Sequence, residues 1–149
     1  MATYYGYNVS VYRFSDGTTT FEVSGDVHYK SGSADGPQVV NRLVANDVGV
    51  MIDLDGTGAA TLVPPQVTAN FIFVASHPDG HSQYRNLAKL AGKHGTLTGK
   101  MPGSSANQLV TAPARLMEVK ANNEGAHRIG TENWLAVTAT WQLKDFWDD

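Results

Sequence analysis

The sequence contains no cysteine. That excludes disulfides, thiolate metal sites and cysteine nucleophiles. Charge is scarce too: 17% of the residues are Asp, Glu, Lys or Arg, where about a quarter is usual. A lightly charged chain hides more surface than a free monomer would, which points to subunit contacts. The net charge is −3 and there is no long basic run, so a dedicated nucleic-acid binder is disfavoured. No apolar stretch approaches the roughly 20 residues that a membrane helix needs. Met1-Ala2-Thr3-Tyr4-Tyr5 lacks the charged-then-apolar layout of a secretion signal. The expectation is a soluble protein that is made, and at first kept, inside a cell. No repeat, low-complexity tract or internal boundary interrupts the chain. Its 149 residues, 42% of them hydrophobic, suffice for one domain over 1–149 with a real core.

Most of the chain reads as strand. Tyr4 to Phe14 is aromatic and β-branched, which suits a pleated, half-buried surface. Ser15-Asp16-Gly17 supplies turn chemistry. Thr18 to Tyr29 is a second strand, with Gly25 as a bulge. Ser31 to Pro37 reads as a small-residue loop. Val48 to Leu54 is an apolar strand ending in Asp55-Gly56, with Ala59 to Val63 as its return and Pro64-Pro65 as its stop. Gln66 to Ala75 sets Val67, Ala69, Phe71, Phe73 and Ala75 on one face. One helix is expected from about His81 to Ala91, where Tyr84, Leu87, Ala88 and Ala91 keep helical spacing, and Gly92 ends it. Gly95 to Met101 and Asn107 to Ala121 read as further strands, and Asn122 to Gly130 as a polar loop. In the closing strand Leu135, Val137, Ala139, Trp141 and Leu143 share one face. Many short strands and one helix predict a mainly β fold, a β-sandwich or half-barrel with one flanking α-helix.

Few motifs offer chemistry. Val48 to Thr57 reads VGVMIDLDGT and looks like the first motif of haloacid-dehalogenase-type phosphohydrolases. By that analogy Asp53 would be the nucleophile and Asp55 the general acid-base, with magnesium nearby. The setting argues against it, because that motif opens a parallel α/β domain with a helix soon after, and Gly58 to Pro65 is poor helix sequence. A strand ending in an Asp-Gly turn accounts for the same residues. His77 and His81 are four apart, but Pro78-Asp79-Gly80 between them makes a turn, so helical metal-ligand spacing does not apply. His28, His94 and His127 are scattered, and no G-x-S-x-G occurs. The reading names no catalytic residue, no cofactor and no metal. A third reading is a stand-alone binding module with an aromatic platform. Alternation places Trp141 in the core and leaves Trp147, in DFWDD, as the better candidate for an exposed ring.

The second half of the chain resembles a known family. The helix Tyr84-Arg85-Asn86-Leu87-Ala88-Lys89-Leu90-Ala91-Gly92-Lys93 is followed by Gly95-Thr96-Leu97. Then come Ala114-Arg115-Leu116 within Thr111 to Val119, and Trp134-Leu135-Ala136-Val137 leading to Trp141, with Phe146-Trp147 at the end. This order, over roughly Gln83 to Trp147, resembles the ring-forming N-terminal domain of distal tail proteins of long-tailed bacteriophages, and the related tail-tube proteins. The resemblance implies a tail-tube-like β-sandwich flanked by a helix. It implies a structural virion protein, assembled in the host cytoplasm, whose copies form a ring, usually a hexamer, around a channel for DNA. Its partners would be itself, the tail tube, and the tail-tip or baseplate proteins, with DNA only in transit and no membrane. Edges exposed in a monomer would pair in such a ring. Aromatic density and position suggest contacts through Tyr5 and Tyr7 on the first strand, Tyr84 and Leu87 on the helix, and Phe146 and Trp147 near the end.

Overall fold

The computed structural model describes residues 3–4, 9–34, 38–39, 43–45, 51–53, 62–74, 77–101, 108–129 and 132–148. In chain order the strands begin with β1 (Thr3–Tyr4), β2 (Ser10–Ser15), β3 (Thr20–Glu22) and β4 (Val27–Ala34). Four short strands follow: β5 (Gln38–Val39), β6 (Leu43–Ala45), β7 (Met51–Asp53) and β8 (Leu62–Val63). Next come β9 (Gln66–Val74), the helix α1 (Pro78–Lys89), β10 (His94–Lys100), β11 (Leu109–Ile129), β12 (Glu132–Leu143) and β13 (Trp147–Asp148). The main sheet is ordered β3-β2-β10-β11-β12-β9-β4, and all its pairings are antiparallel. β13 continues beside β11 and pairs with β1. This is the β-rich architecture with one helix that the alternation predicts.

The sheet curls around its own apolar face. β9 buries Val67, Ala69, Phe71 and Phe73, while β12 buries Val137, Ala139, Trp141 and Leu143. Register sets Val137 opposite Phe71 and Trp141 opposite Val67. Phe21 of β3 meets Phe71 and Phe73 at ring separations of 5.2 and 5.9 Å, so one end of the sheet lies over the other. Trp141 bridges the layers, edge-on to Phe14 at 5.8 Å and to Phe71 at 6.3 Å. Such T-shaped contacts suit the aromatic quadrupole. Burial pushes the phenol pKa of Tyr29 on β4 up.

The helix starts three residues earlier than its apolar spacing suggests. Pro78 sits at its first turn, where a missing N–H costs nothing, and Asp79 favours the positive end of the dipole. Gly80 packs so closely on the Val74 carbonyl that a Cβ would drive into it. Gly92, at φ 81°, ends the helix as expected.

Four local expectations give way. Ser31 to Ala34, read as the start of a loop, belongs to β4 and pairs with β9. Gly25 belongs to a turn closed by the Val27 N–H on the Ser24 carbonyl at 3.2 Å, not to a bulge. The polar stretch after Ala121 continues as strand to Ile129, paired with β12 as far as Glu132. Cross-strand pairing there overrides weak local propensity. The apolar strand over 51–53 pairs with 43–45 before it, not with a return strand after it, and 38–39 pairs with 62–63 outside that pair.

Candidate functional site

The phosphohydrolase setting is not met. Asp53 ends β7, a three-residue strand paired antiparallel with β6, and the fold is antiparallel β rather than a parallel α/β sheet. Asp55 lies outside the described residues. Among the described residues no group of three His, Asp or Glu side chains could hold a metal. Nor is any helix among them long and apolar enough to cross a membrane.

What the fold does build is an extended outer face on β11, β12, β9 and β4. Because residues alternate, the side chains opposite the core line up in cross-strand rows. One row runs Lys120, Thr138, Asn70 and Ser31. Within it, Thr138 Oγ1 donates to Asn70 Oδ1 at 2.7 Å, and Asn70 Nδ2 donates to Ser31 Oγ at 3.0 Å. The next row runs Glu118, Thr140, Thr68 and Ser33, with the two threonine hydroxyls 3.5 Å apart. On β12 and β9 the outward residues Ala136, Thr138, Thr140, Gln142, Thr68, Asn70 and Ile72 carry no charge. His28 of β4 stacks on Trp134 at 5.9 Å with the rings 10° apart. A shallow cleft of about 160 Å³ lies between Lys30, Asn70, Ile72 and Ala136. It contains no convergent acid, base and nucleophile.

The ends of the sheet differ. β3, at one end, is lashed to α1. Gln83 Oε1 accepts from the Glu22 N–H at 3.1 Å, Asn86 Nδ2 donates to the Thr20 carbonyl at 3.1 Å, and Ser24 Oγ donates to Asp79 Oδ2 at 2.9 Å. The helix thus supplies hydrogen bonds that a neighbouring strand would otherwise make, which blunts that edge. β4 forms the other end. β11 runs on past Leu116, beyond its last pairing with β10 at Arg115, and there Met117 is 50% exposed.

The expected contact residues separate. Tyr5 and Tyr7 lie outside the described residues. Tyr84 is half-buried and packs on Phe73 at 5.7 Å, and Phe146 is also half-buried. Leu87 and Trp147 are both 0% exposed, so neither presents a side chain to a partner. Leu87 plugs the core from the helix, and Trp147 joins it through β13. Trp147 is therefore not the exposed ring that the binding-module reading wanted. Trp141 is buried as expected.

The fold has counterparts among solved structures. It matches a chain of the phage p2 baseplate in its activated conformation with Sr, at a TM-score of 0.57 and 19% identity, over 92% of this chain and 45% of that one. The same baseplate with Ca gives 0.56 and 17%, with the same coverage. A chain from the tail of an empty gene transfer agent particle, refined helically with C6 symmetry, gives 0.50 and 11%, over 95% of this chain and 94% of that one. The fold is one used in phage baseplates and tails. The chain spans less than half the length of the baseplate chains it matches. No family model and no curated protein matches it. At these identities the likeness is one of fold.

Two features of this surface were missed by sequence reasoning. The length of the β11–β12 hairpin was hidden by the polar stretch from Asn122 onward. The clamp of Gln83 and Asn86 on β3 had no sequence signal, since both read as ordinary polar helix positions.

Proposed function

We propose that this chain is a non-catalytic structural subunit of a phage-type tail, whose copies close into a sixfold ring around a channel that DNA traverses. The observation that carries the reading is the fold, shared over nearly the full length of both chains with a component of a C6-symmetric tail and, over part of a longer chain, with a baseplate component. The baseplate likeness favours the role of distal adaptor between tube and tip. The place of action would be the virion, after assembly in the host cytoplasm.

The outer face supports the same reading. β11, β12, β9 and β4 alternate in direction, so four strands restore the starting polarity. Around a rotation axis, β4 of one copy would then meet the distal part of β11 of the next in antiparallel fashion, a heterologous contact that closes. The core and α1 would lie outside such a wall, and the hydroxyl and amide rows, uncharged on β12 and β9 and ending in Lys120 and Glu118 on β11, would face the channel. A lining without a dense array of cations leaves phosphates unheld, which suits DNA in transit. Tyr84 and Phe146 remain the aromatic candidates for subunit contact.

The test is the native mass of the purified chain by light scattering, with negative-stain imaging of the same peak. Rings or short tubes built on six copies of the 16.0 kDa chain are expected. A monomer at every concentration would count against self-assembly.

A further inference from the structure

The outer face is interrupted at β4. His28 lies opposite Ile72 and Ser31 opposite Asn70, so β4 takes three residues where β9 takes two. The extra residue is Lys30, at a β-bulge between Tyr29 and Ser31. Bulges re-aim side chains out of strict alternation. Lys30 and Ser31 are consecutive and both exposed, while Tyr29 before them packs edge-on to Phe71 at 6.0 Å. The bulge widens the space between two cross-strand rows, Thr138–Asn70–Ser31 on one side and Ala136–Ile72–His28 on the other. The cleft of about 160 Å³ lies in that space.

The two sides of the cleft differ in chemistry. Ile72 and Ala136 are apolar and half-buried. The facing side is a hydrogen-bonded relay with a direction. Thr138 uses its hydroxyl hydrogen on Asn70 Oδ1, and Asn70 Nδ2 donates to Ser31 Oγ. The Ser31 hydroxyl accepts there, so its own hydrogen turns away from Asn70, and the Asn70 amide keeps a second hydrogen. Lys30 brings an ammonium and is the one charged residue lining the cleft. Lys120, opposite Thr138, extends the same row with a second cation. The relay therefore ends in donors at the side where Lys30 stands, which is a setting for an anionic acceptor.

We infer that this cleft is a binding site for a carboxylate carried on a short apolar stem, either a glutamate side chain of a protein or a free short-chain carboxylate. The head accepts from Lys30, Ser31 and Asn70, and the stem lies on Ile72 and Ala136. Size supports this class of ligand. At about 30 Å³ per water the cleft has room for about five waters, enough for a side chain. Drug-sized ligands need about 300 Å³ or more. One lysine suffices for a carboxylate, whereas a nucleic-acid backbone is held by several cations. Hydrogen bonds to an ionised group are about twice as strong as neutral ones, so the charge of the head decides the affinity. The site lies within one chain and stands apart from the ring reading.

The test is a titration of the isotope-labelled full chain, followed by nuclear magnetic resonance at the amides of Lys30, Ser31, Asn70 and Thr138. The probes are N-acetyl-glutamate N-methylamide, its glutamine counterpart, butyrate and dimethyl phosphate. The glutamate probe is expected to give saturable shifts confined to the cleft, and the glutamine probe to bind at least about tenfold more weakly. Lys30→Met should weaken the glutamate probe at least about tenfold and Lys30→Arg should keep its binding. Lys30 is exposed, so both variants keep the fold, and unchanged signals elsewhere check this. Tighter binding of the glutamate probe than of butyrate assigns the site to a protein side chain, and equal binding assigns it to a free carboxylate; both outcomes support the site. Equal binding of the glutamate and glutamine probes, no saturable shift, or full binding by Lys30→Met would overturn it. Tighter binding of dimethyl phosphate would reassign the cleft to a nucleic-acid backbone and overturn the carboxylate. Light scattering on the same samples bears on the ring reading alone, so failure of one leaves the other standing.

Discussion

Trp141 is the residue whose replacement best separates a core role from a binding platform. It is 0% exposed, lies on the inward face of β12, and touches Phe14 and Phe71 edge-on, so it joins the two layers of the curled sheet. A buried tryptophan removes about 200 Å² from water, which at about 25 cal/mol per Å² comes to about 5 kcal/mol. Trp141→Ala should therefore cost about 3–5 kcal/mol, because the surrounding rings close only part of the cavity. Single domains hold only about 5–15 kcal/mol in total, so the variant should melt at least about 10 °C lower or fail to fold. Trp141→Phe keeps most of the ring contacts and should cost less than half as much. Trp134→Ala is the control: this ring is half-buried on the outer face and stacked on His28, so about 1 kcal/mol or less is expected. The assay is urea unfolding followed by far-ultraviolet circular dichroism. Equal losses for Trp141→Ala and Trp134→Ala would refute the assignment of Trp141 to the core.

Two further outcomes follow from named contacts. Replacing Gln83 and Asn86 together with Ala removes both amide contacts to β3; each is worth about 1 kcal/mol, so a loss of about 2 kcal/mol and greater aggregation from the uncovered edge are expected, read by thermal melting and by light scattering. Asp16 is held below the ordinary carboxylate range, first by the Thr19 N–H and then by the Thr18 N–H; a depressed folded-state pKa stabilises above the unfolded-state value and is lost as pH falls through the folded value. Wild type should thus lose more stability than Asp16→Asn between neutral and acid pH, and identical acid melting curves would contradict the turn's role.

The strands that were plain in the sequence are those with one wet face and one dry face. Val67 to Phe73 and Val137 to Leu143 alternate without a break, and both are core in the structure. Gly92 was legible as a helix end because only a left-handed backbone continues from there. The helix start was not, since Pro78-Asp79-Gly80 serves equally as a turn, and the choice came from Gly80 packing on Val74. The reach of β11 was illegible because its polar residues gain regularity only from the partner strand.

The candidate surface divides the same way. Lack of cysteine, sparse charge and alternating apolar positions were enough to determine a β-rich chain without thiol chemistry, because composition and period act locally. Which residues share a face across four strands depends on register, so the Lys120–Thr138–Asn70–Ser31 row existed only once the strands had paired. The burial of Leu87 and Trp147 was likewise decided by the third dimension. A chain position does not say whether an aromatic or leucine side chain meets solvent or the far layer of a curled sheet, and that meeting is made by contacts between residues remote in sequence.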